Sequence, residues 1–302
     1  MTARRRLAPE AMYPAGDASV RTRRVALPGN VVLRVAESGD AAAPPVVLLH
    51  GWGASLYMWR AWFAPLVAAG FRVLAADLPG HGLSDKPMVA GAYSLPRQVD
   101  VVRQLLDAER LHGAHVVAQS MAGTIALELA LSGEPPIGRL VLINPAAFGR
   151  VGLQSFARLV SPAIMEPLLR GMPARWMVAR AHRLAYADGG RVAPRDVDEY
   201  WAPSADAGYA RAMRRLLHEF TWTRVPVERQ AARLRGLASP LLVVLGTRDR
   251  LVRDAPAYVE ALRRSGVALE VLTLAGAGHA VNEEEPARVL PRVLDFLRAR
   301  EG

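Results

Sequence analysis

Short runs of consecutive apolar residues recur along the chain, separated by segments whose apolar residues fall at helical spacing. Val46-Val47-Leu48-Leu49 is such a run; apolar positions in unbroken succession suit a strand buried on both faces. Val31–Ala36, Pro45–Leu49, Phe71–Ala76, His115–Ala118, Arg139–Ile143, Leu241–Leu245 and Leu269–Leu274 read as strands on this basis. Between them, Leu56–Ala69, Ser94–Leu111, Met121–Leu131, Ala255–Arg264 and Pro286–Arg298 read as helices. Val99, Val102, Leu105 and Leu106 share one face of the second, and Gly70 and Ser132-Gly133 supply helix stops. Regular alternation of the two element types predicts an α/β fold with a mostly parallel, doubly wound sheet. The rhythm fails over residues 146–238, which read as helices rich in Arg, Trp and Pro, and resumes at Leu241. The expected organisation is a basic N-terminal tail at 1–24, a core from 25–146 and 239–302, and an inserted helical cap at 147–238. The tail is polar and interrupted by prolines, so it is expected to be loose.

Composition narrows the class. A chain of 302 residues that is 51% hydrophobic is long enough for one large core with an insertion and too apolar for a disordered chain. It has no cysteine, which excludes disulfides, thiolate metal sites and a Cys nucleophile. No run of 18 apolar residues is present, so no integral membrane segment is expected, and the N-terminus lacks the apolar stretch of a secretory leader. The chain therefore reads as cytoplasmic. The net charge of +10 is uneven: residues 150–235 hold 15 arginines against 8 acids, while residues 25–149 are close to neutral. Lys86 is the single lysine among 38 basic residues, a bias of composition more than a binding strategy. With no recognition helix, zinc finger or aromatic-basic motif, no nucleic-acid partner is expected.

In doubly wound sheets, active sites lie beyond the carboxyl ends of the strands, so the residues following each apolar run carry the chemistry. The strand at 115–118 leads into Ala118-Gln119-Ser120-Met121-Ala122-Gly123. A serine on a sharp strand-to-helix turn is presented to substrate, and its neighbours at ±2 must be small. Both are alanines here instead of the usual glycines, and an ordinary buried Ser at a helix start has the same pattern. His50-Gly51-Trp52-Gly53 follows an earlier strand, where glycines let backbone N–H groups approach a developing oxyanion. Asp249 lies in Gly246-Thr247-Arg248-Asp249, and His279 in a Gly-rich loop after the last strand. An Asp can orient a His, and a His can act as general base, although a solvated turn Asp and a bystander His are the plain alternatives for each alone. Ser, Asp and His in that chain order, each after a strand, together make a consistent set.

The motifs His50-Gly51-Trp52-Gly53, Asp77-Leu78-Pro79-Gly80-His81-Gly82-Leu83-Ser84-Asp85, Gln119-Ser120-Met121, Gly246-Thr247-Arg248-Asp249 and Gly278-His279 resemble the landmarks of the α/β-hydrolase fold family over residues 25–302. The resemblance implies a Ser120 nucleophile, a His279 general base and acid, and an Asp249 orienting carboxylate, with Asp254 as the alternative acid. It also implies an oxyanion hole from the backbone N–H groups of Trp52 and Met121, structural roles for His50 and His81, and no cofactor or metal. Family members that place the acid after the preceding strand would need it at Asn144. Haloalkane dehalogenases and epoxide hydrolases of this fold use an Asp nucleophile, which Ser120 does not supply.

Trp52, Gln119 and Met121 are expected to line the substrate pocket. The cap adds apolar residues, among them Phe148, Phe156, Leu159, Ile164, Met165, Leu168, Leu169, Met172, Trp176, Met177, Tyr186, Trp201, Tyr209, Phe220 and Trp222. A helical insertion must bury a face of its own, so roughly two-thirds of these are expected to pack the cap. The expected activity is a carboxylic ester hydrolase for a small hydrophobic acyl substrate. A thioesterase, lactonase or C–C bond hydrolase on the same triad, and a non-catalytic ligand receptor, are the alternatives. The basic cap motivates the thioesterase version, whose partner would be an acidic acyl carrier.

Overall fold

The computed structural model describes residues 5–152 and 173–299. Eight strands build its main sheet: β1 (Arg21–Leu27), β2 (Val31–Ser38), β3 (Pro45–Leu49), β4 (Arg72–Ala76), β5 (His115–Gln119), β6 (Leu140–Ile143), β8 (Leu241–Gly246) and β10 (Glu270–Leu274). Their order across the sheet is β1-β2-β4-β3-β5-β6-β8-β10. β1–β2 and β2–β4 pair antiparallel, and every later pair is parallel. The central strands β3, β5, β6 and β8 are apolar at their buried positions except for Gln119 at the end of β5, as suits strands covered by helices on both faces. A second ribbon pairs β7 (Arg150–Val151) with β9 (Val252–Arg253).

Among the described residues, the helices are α1 (Phe63–Ala68), α2 (Leu95–Ala108), α3 (Met121–Ser132), α4 (Arg175–Ala185), α5 (Pro194–Trp201), α6 (Tyr209–Glu219), α7 (Val227–Leu234), α8 (Ala255–Arg264), α9 (Val281–Glu284) and α10 (Pro286–Arg298). The helix expected over 56–69 is two pieces, a 3-10 turn at Leu56–Trp59 and then α1. Ser55 caps the turn by accepting from the N–H of Tyr57. In α7, Ala231 and Leu234 belong to the core cluster that also holds residues of β3, β5 and β8. Arg233 of the same helix reaches Glu128 of α3 at 2.6 Å.

Two features of the N-terminal region differ from expectation. Arg21–Leu27 is a strand: its first four side chains are exposed on the sheet edge, so the burial alternation that marks a strand is hidden among arginines. Arg23 from this edge pairs with Glu37 at 3.1 Å and also with Glu109. Residues 5–20 are not loose. Met12 and Val20 are buried, the N–H of Tyr13 donates to Glu199 at 2.8 Å, and Arg195 donates to the Ala11 carbonyl at 2.6 Å. Arg6 lies 4.7 Å over the Trp201 ring and donates to Ser204. The segment is held by polar contacts to α5, which hydropathy cannot reveal.

Polar groups tie α5 to the 3-10 turn at Leu56–Trp59 and to α9. Arg60 bridges Asp196 at 3.0 Å and Glu283 at 2.5 Å and stacks 4.3 Å from the Tyr57 ring. Tyr57 donates to Asp196, and Tyr200 to Glu283. Burial pushes the Glu283 carboxyl up while the Arg60 charge opposes it. Lys86, only 5% exposed at its side chain, donates to the carbonyls of Gly82 and Ser84 and lies 3.6 Å from Asp206, between α5 and α6.

Asp77 organises the loop after β4. It is fully buried, accepts from Leu56 N at 2.7 Å and Leu83 N at 2.9 Å, and lies 3.6 Å from the Arg34 guanidinium. Asp77→Ala leaves two amides and a buried cation without this acceptor. The expected cost is about 3 kcal/mol or more, read as a lowered midpoint in urea unfolding; an unchanged midpoint would contradict this account.

Candidate active site

β5 ends at Gln119 and α3 begins at Met121, so Ser120 stands alone between strand and helix with φ 53° and ψ −114°. This positive φ costs a residue with a Cβ free energy, and local strain of that kind is the mark of a nucleophile elbow. The turn is pinned by its own backbone: Ser120 N donates to Ile143 O at 2.9 Å, while Ser120 O accepts from Gly123 N and Ala146 N, both at 3.0 Å. Ala118 and Ala122 are fully buried. The residue that must be glycine is Gly123, where a Cβ would stand 2.8 Å from the Cβ of Pro145.

Asp249 and His279 come together across the ends of β8 and β10. Asp249 Oδ2 lies 2.8 Å from His279 Nδ1. The other carboxylate oxygen accepts from Leu251 N at 2.8 Å and Val252 N at 2.9 Å, which leaves Oδ2 for the imidazole. A carboxylate accepts, so in the neutral imidazole this contact places the hydrogen on Nδ1 and the lone pair on Nε2. Ser120 and His279 are 8% and 7% exposed, so the chemistry would run with little water access. Asp254 is engaged elsewhere, paired with Arg150 at 2.5 Å on the surface.

The loop after β3 passes directly over the elbow: a Cβ on Gly51 would lie 3.0 Å from Ser120 Cβ and 2.3 Å from Gln119 Oε1. His50 fixes this loop. Its Nε2 accepts from Leu78 N at 2.9 Å, so Nδ1 must be the donor to Gly51 O at 2.8 Å. Burial lowers the His50 pKa and keeps the ring neutral for this pair of bonds. Trp52 follows, and its indole N–H donates to the Met213 carbonyl at 3.3 Å, linking the loop to α6. Met121 is the first residue of α3, where a helix leaves backbone N–H groups unpaired.

Of the expected pocket residues, Trp52 is half-buried, whereas Met121 and Gln119 are buried. Gln119 donates through Nε2 to the His279 carbonyl at 3.2 Å, so its amide braces the His loop. Of the apolar residues expected in a cap, Tyr186, Trp201, Tyr209, Phe220 and Trp222 are buried, while Trp176 is 68% exposed. Phe156, Leu159, Ile164, Met165, Leu168, Leu169 and Met172 lie outside the described residues. Among the other histidines, His115 accepts from Arg139 N at 2.9 Å, and His182 stacks 4.0 Å from Tyr200 with its pKa pushed down to about 4 by burial.

Two residues that hold the His279 loop stand outside the expected catalytic and pocket residues. Asn144 donates to the carbonyls of Gly278 at 3.0 Å and His279 at 2.9 Å, and accepts from Gly246 N at 3.0 Å. Glu284 is buried and accepts from Gly278 N at 2.7 Å. Asn144 directly follows a strand, which is the available clue; Glu284 is one of three successive acids.

The comparisons agree with this architecture. Residues 44–208, more than half of the chain, match the family model described as alpha/beta hydrolase fold. The chain belongs to the α/β-hydrolase fold family. It is 30% identical over 276 residues to a dihydrolipoyllysine-residue acetyltransferase component of an acetoin cleaving system from Pseudomonas putida, covering 89% of this chain and 68% of that one. It is 31% identical over 268 residues to a haloalkane dehalogenase from Mycobacterium marinum, with 86% of each covered. The crystal structure of a hydrolase from Pseudomonas aeruginosa superposes with a TM-score of 0.73 at 26% identity, covering 94% of this chain and all of the other. Among the described residues, no helix is long and apolar enough to cross a membrane.

Proposed function

We propose that the protein is a serine hydrolase that cleaves a carboxylic ester of a hydrophobic acyl substrate through Ser120, His279 and Asp249. The observation that carries the reading is the 2.8 Å contact between Asp249 Oδ2 and His279 Nδ1 in a protein whose strand-to-helix elbow holds a strained serine. Asp249 holds the imidazole in the tautomer that can take the Ser120 proton on Nε2 and stabilises the imidazolium that forms. Ser120 Oγ attacks the carbonyl carbon, and the oxyanion is met by the N–H groups of Trp52 and Met121. Collapse of the tetrahedral intermediate expels the alcohol, which leaves with the proton from His279. Water then attacks the acyl-enzyme with His279 again as base, releasing the acid and freeing Ser120.

The haloalkane dehalogenase relative raises a competing chemistry. That reaction needs a carboxylate nucleophile in this fold, and the elbow carries Ser120. The acetyltransferase relative is named for acyl transfer, which a Ser120 acyl-enzyme could also serve with a different acceptor. The decisive experiment is intact mass after treatment with a fluorophosphonate. A single adduct on Ser120 is expected, together with hydrolysis of p-nitrophenyl esters that varies with acyl length and no halide release from haloalkanes. Folded protein that takes no adduct would overturn the reading in favour of a binding protein. A flat chain-length profile would remove the hydrophobic acyl substrate.

A further inference from the structure

The His279 loop is braced from two sides. On the core side, Asn144 and Gln119 hold the His279 carbonyl. On the cap side, the chain at the end of α4 lies against the loop: His279 N donates to Ala185 O at 2.7 Å, and Ala280 N donates to the same oxygen at 3.1 Å. The approach is so close that a Cβ on Gly278 would sit 2.4 Å from Ala187 N. Both faces of that contact converge on one buried carboxylate. Glu284 Oε2 accepts from Gly278 N at 2.7 Å and from Ala187 N at 3.2 Å, while Oε1 accepts from Ala187 N at 3.0 Å and from Asp188 N at 3.3 Å. Arg191 closes the outside by donating to the Glu284 carbonyl at 2.6 Å.

We propose that Glu284 is a positioning residue that registers His279 against the cap, so that the base is aligned only while segment 185–188 is seated. The inference rests on the serine-hydrolase reading above. Glu284 acts through backbone: the amides it collects belong to Gly278, next to the base, and to Ala187 and Asp188 on the cap side. A charged acceptor for several amides gives stronger bonds than neutral acceptors do, and a displaced base costs rate steeply because proton transfer tolerates little misplacement. If segment 185–188 lifts, Glu284 loses the Ala187 and Asp188 donors, and His279 N and Ala280 N lose Ala185 O. Loop and cap are then no longer held as one unit.

Glu284→Gln tests this with nearly unchanged volume, because one amide –NH₂ must then face backbone N–H donors. The expected result is a kcat lower by about 10- to 100-fold with KM within threefold. The rate of fluorophosphonate labelling should fall in parallel, and the downfield proton resonance of the His279–Asp249 bond should broaden. Unchanged kcat and resonance in the folded variant would overturn the inference, as would a loss confined to KM. If Glu284→Gln does not fold, Ala187→Pro deletes the shared cap-side N–H and leaves the carboxylate intact. Tyr186 before it is already extended (φ −90°, ψ 148°), as a residue preceding proline must be. The same kcat loss is expected there, and wild-type kcat in that variant would equally overturn the inference. Wild-type protein that takes no fluorophosphonate defeats the serine-hydrolase reading itself, a result distinguishable from labelled wild type with an indifferent Glu284.

Discussion

Ser120→Ala is expected to lower p-nitrophenyl ester turnover by at least ~10⁴-fold and to abolish the fluorophosphonate adduct. With the nucleophile gone, the remaining oxyanion donors and the imidazole can only assist water. Stability should respond differently from activity. Alanine keeps a Cβ at φ 53° and so keeps the strain, whereas Ser120→Gly should be more stable than Ser120→Ala by about 1 kcal/mol, because glycine accepts that φ without penalty. Thermal unfolding of the pair reads out the strain, and ester turnover reads out the chemistry. Substantial residual hydrolysis in Ser120→Ala would mean that another group performs the attack.

Asp249→Asn should cost turnover about 10³–10⁴-fold with little change in fold. The introduced amide must keep the Leu251 and Val252 N–H groups satisfied with its oxygen, which turns its –NH₂ toward His279 Nδ1. The imidazole then presents a lone pair to that –NH₂ and a hydrogen to the serine, the tautomer that cannot accept the proton. Asp254→Asn is the control. Its carboxylate is exposed and paired with Arg150, and turnover should stay within about twofold, as is usual for an exposed pair. The reverse ranking of the two variants in a steady-state assay would show that the orienting acid has been misassigned.

The legible part of the fold is the part whose sequence pattern is set by burial. β3, β5, β6 and β8 sit in the interior of the sheet, so each reads as an apolar run. The limits of α8 and α10 match expectation because proline near one end and a basic or polar stop at the other mark both. β1 is hidden for the opposite reason: it is an edge strand, and arginines fill its exposed positions. The docked segment at 5–20 is hidden because its partners, Glu199 and Arg195, are nearly two hundred residues away.

The same division runs through the site. Ser120, Asp249 and His279, the proposed triad, are visible because active sites of such sheets lie at strand ends, and each follows a strand. Asn144, Gln119 and Glu284 do their work through hydrogen bonds to backbone carbonyls and amides, and any main chain offers those partners. Nothing in a run of three glutamates says which one faces Gly278 N. Adjacency to the nucleophile suggests the pocket for Gln119, yet alternation along β5 and the elbow turn direct its amide to the His loop instead.

Lys86 has a practical consequence. It is the sole lysine, its burial disfavours the ammonium, and its nitrogen is folded onto the carbonyls of Gly82 and Ser84. Amine-directed reagents therefore find no accessible lysine on this protein. Immobilisation or dye coupling through lysine should be inefficient, and arginine, carboxyl or α-amine chemistry has to replace it. The surface cations are guanidinium groups, which hold their charge through the alkaline range in which a lysine-rich protein would shed it.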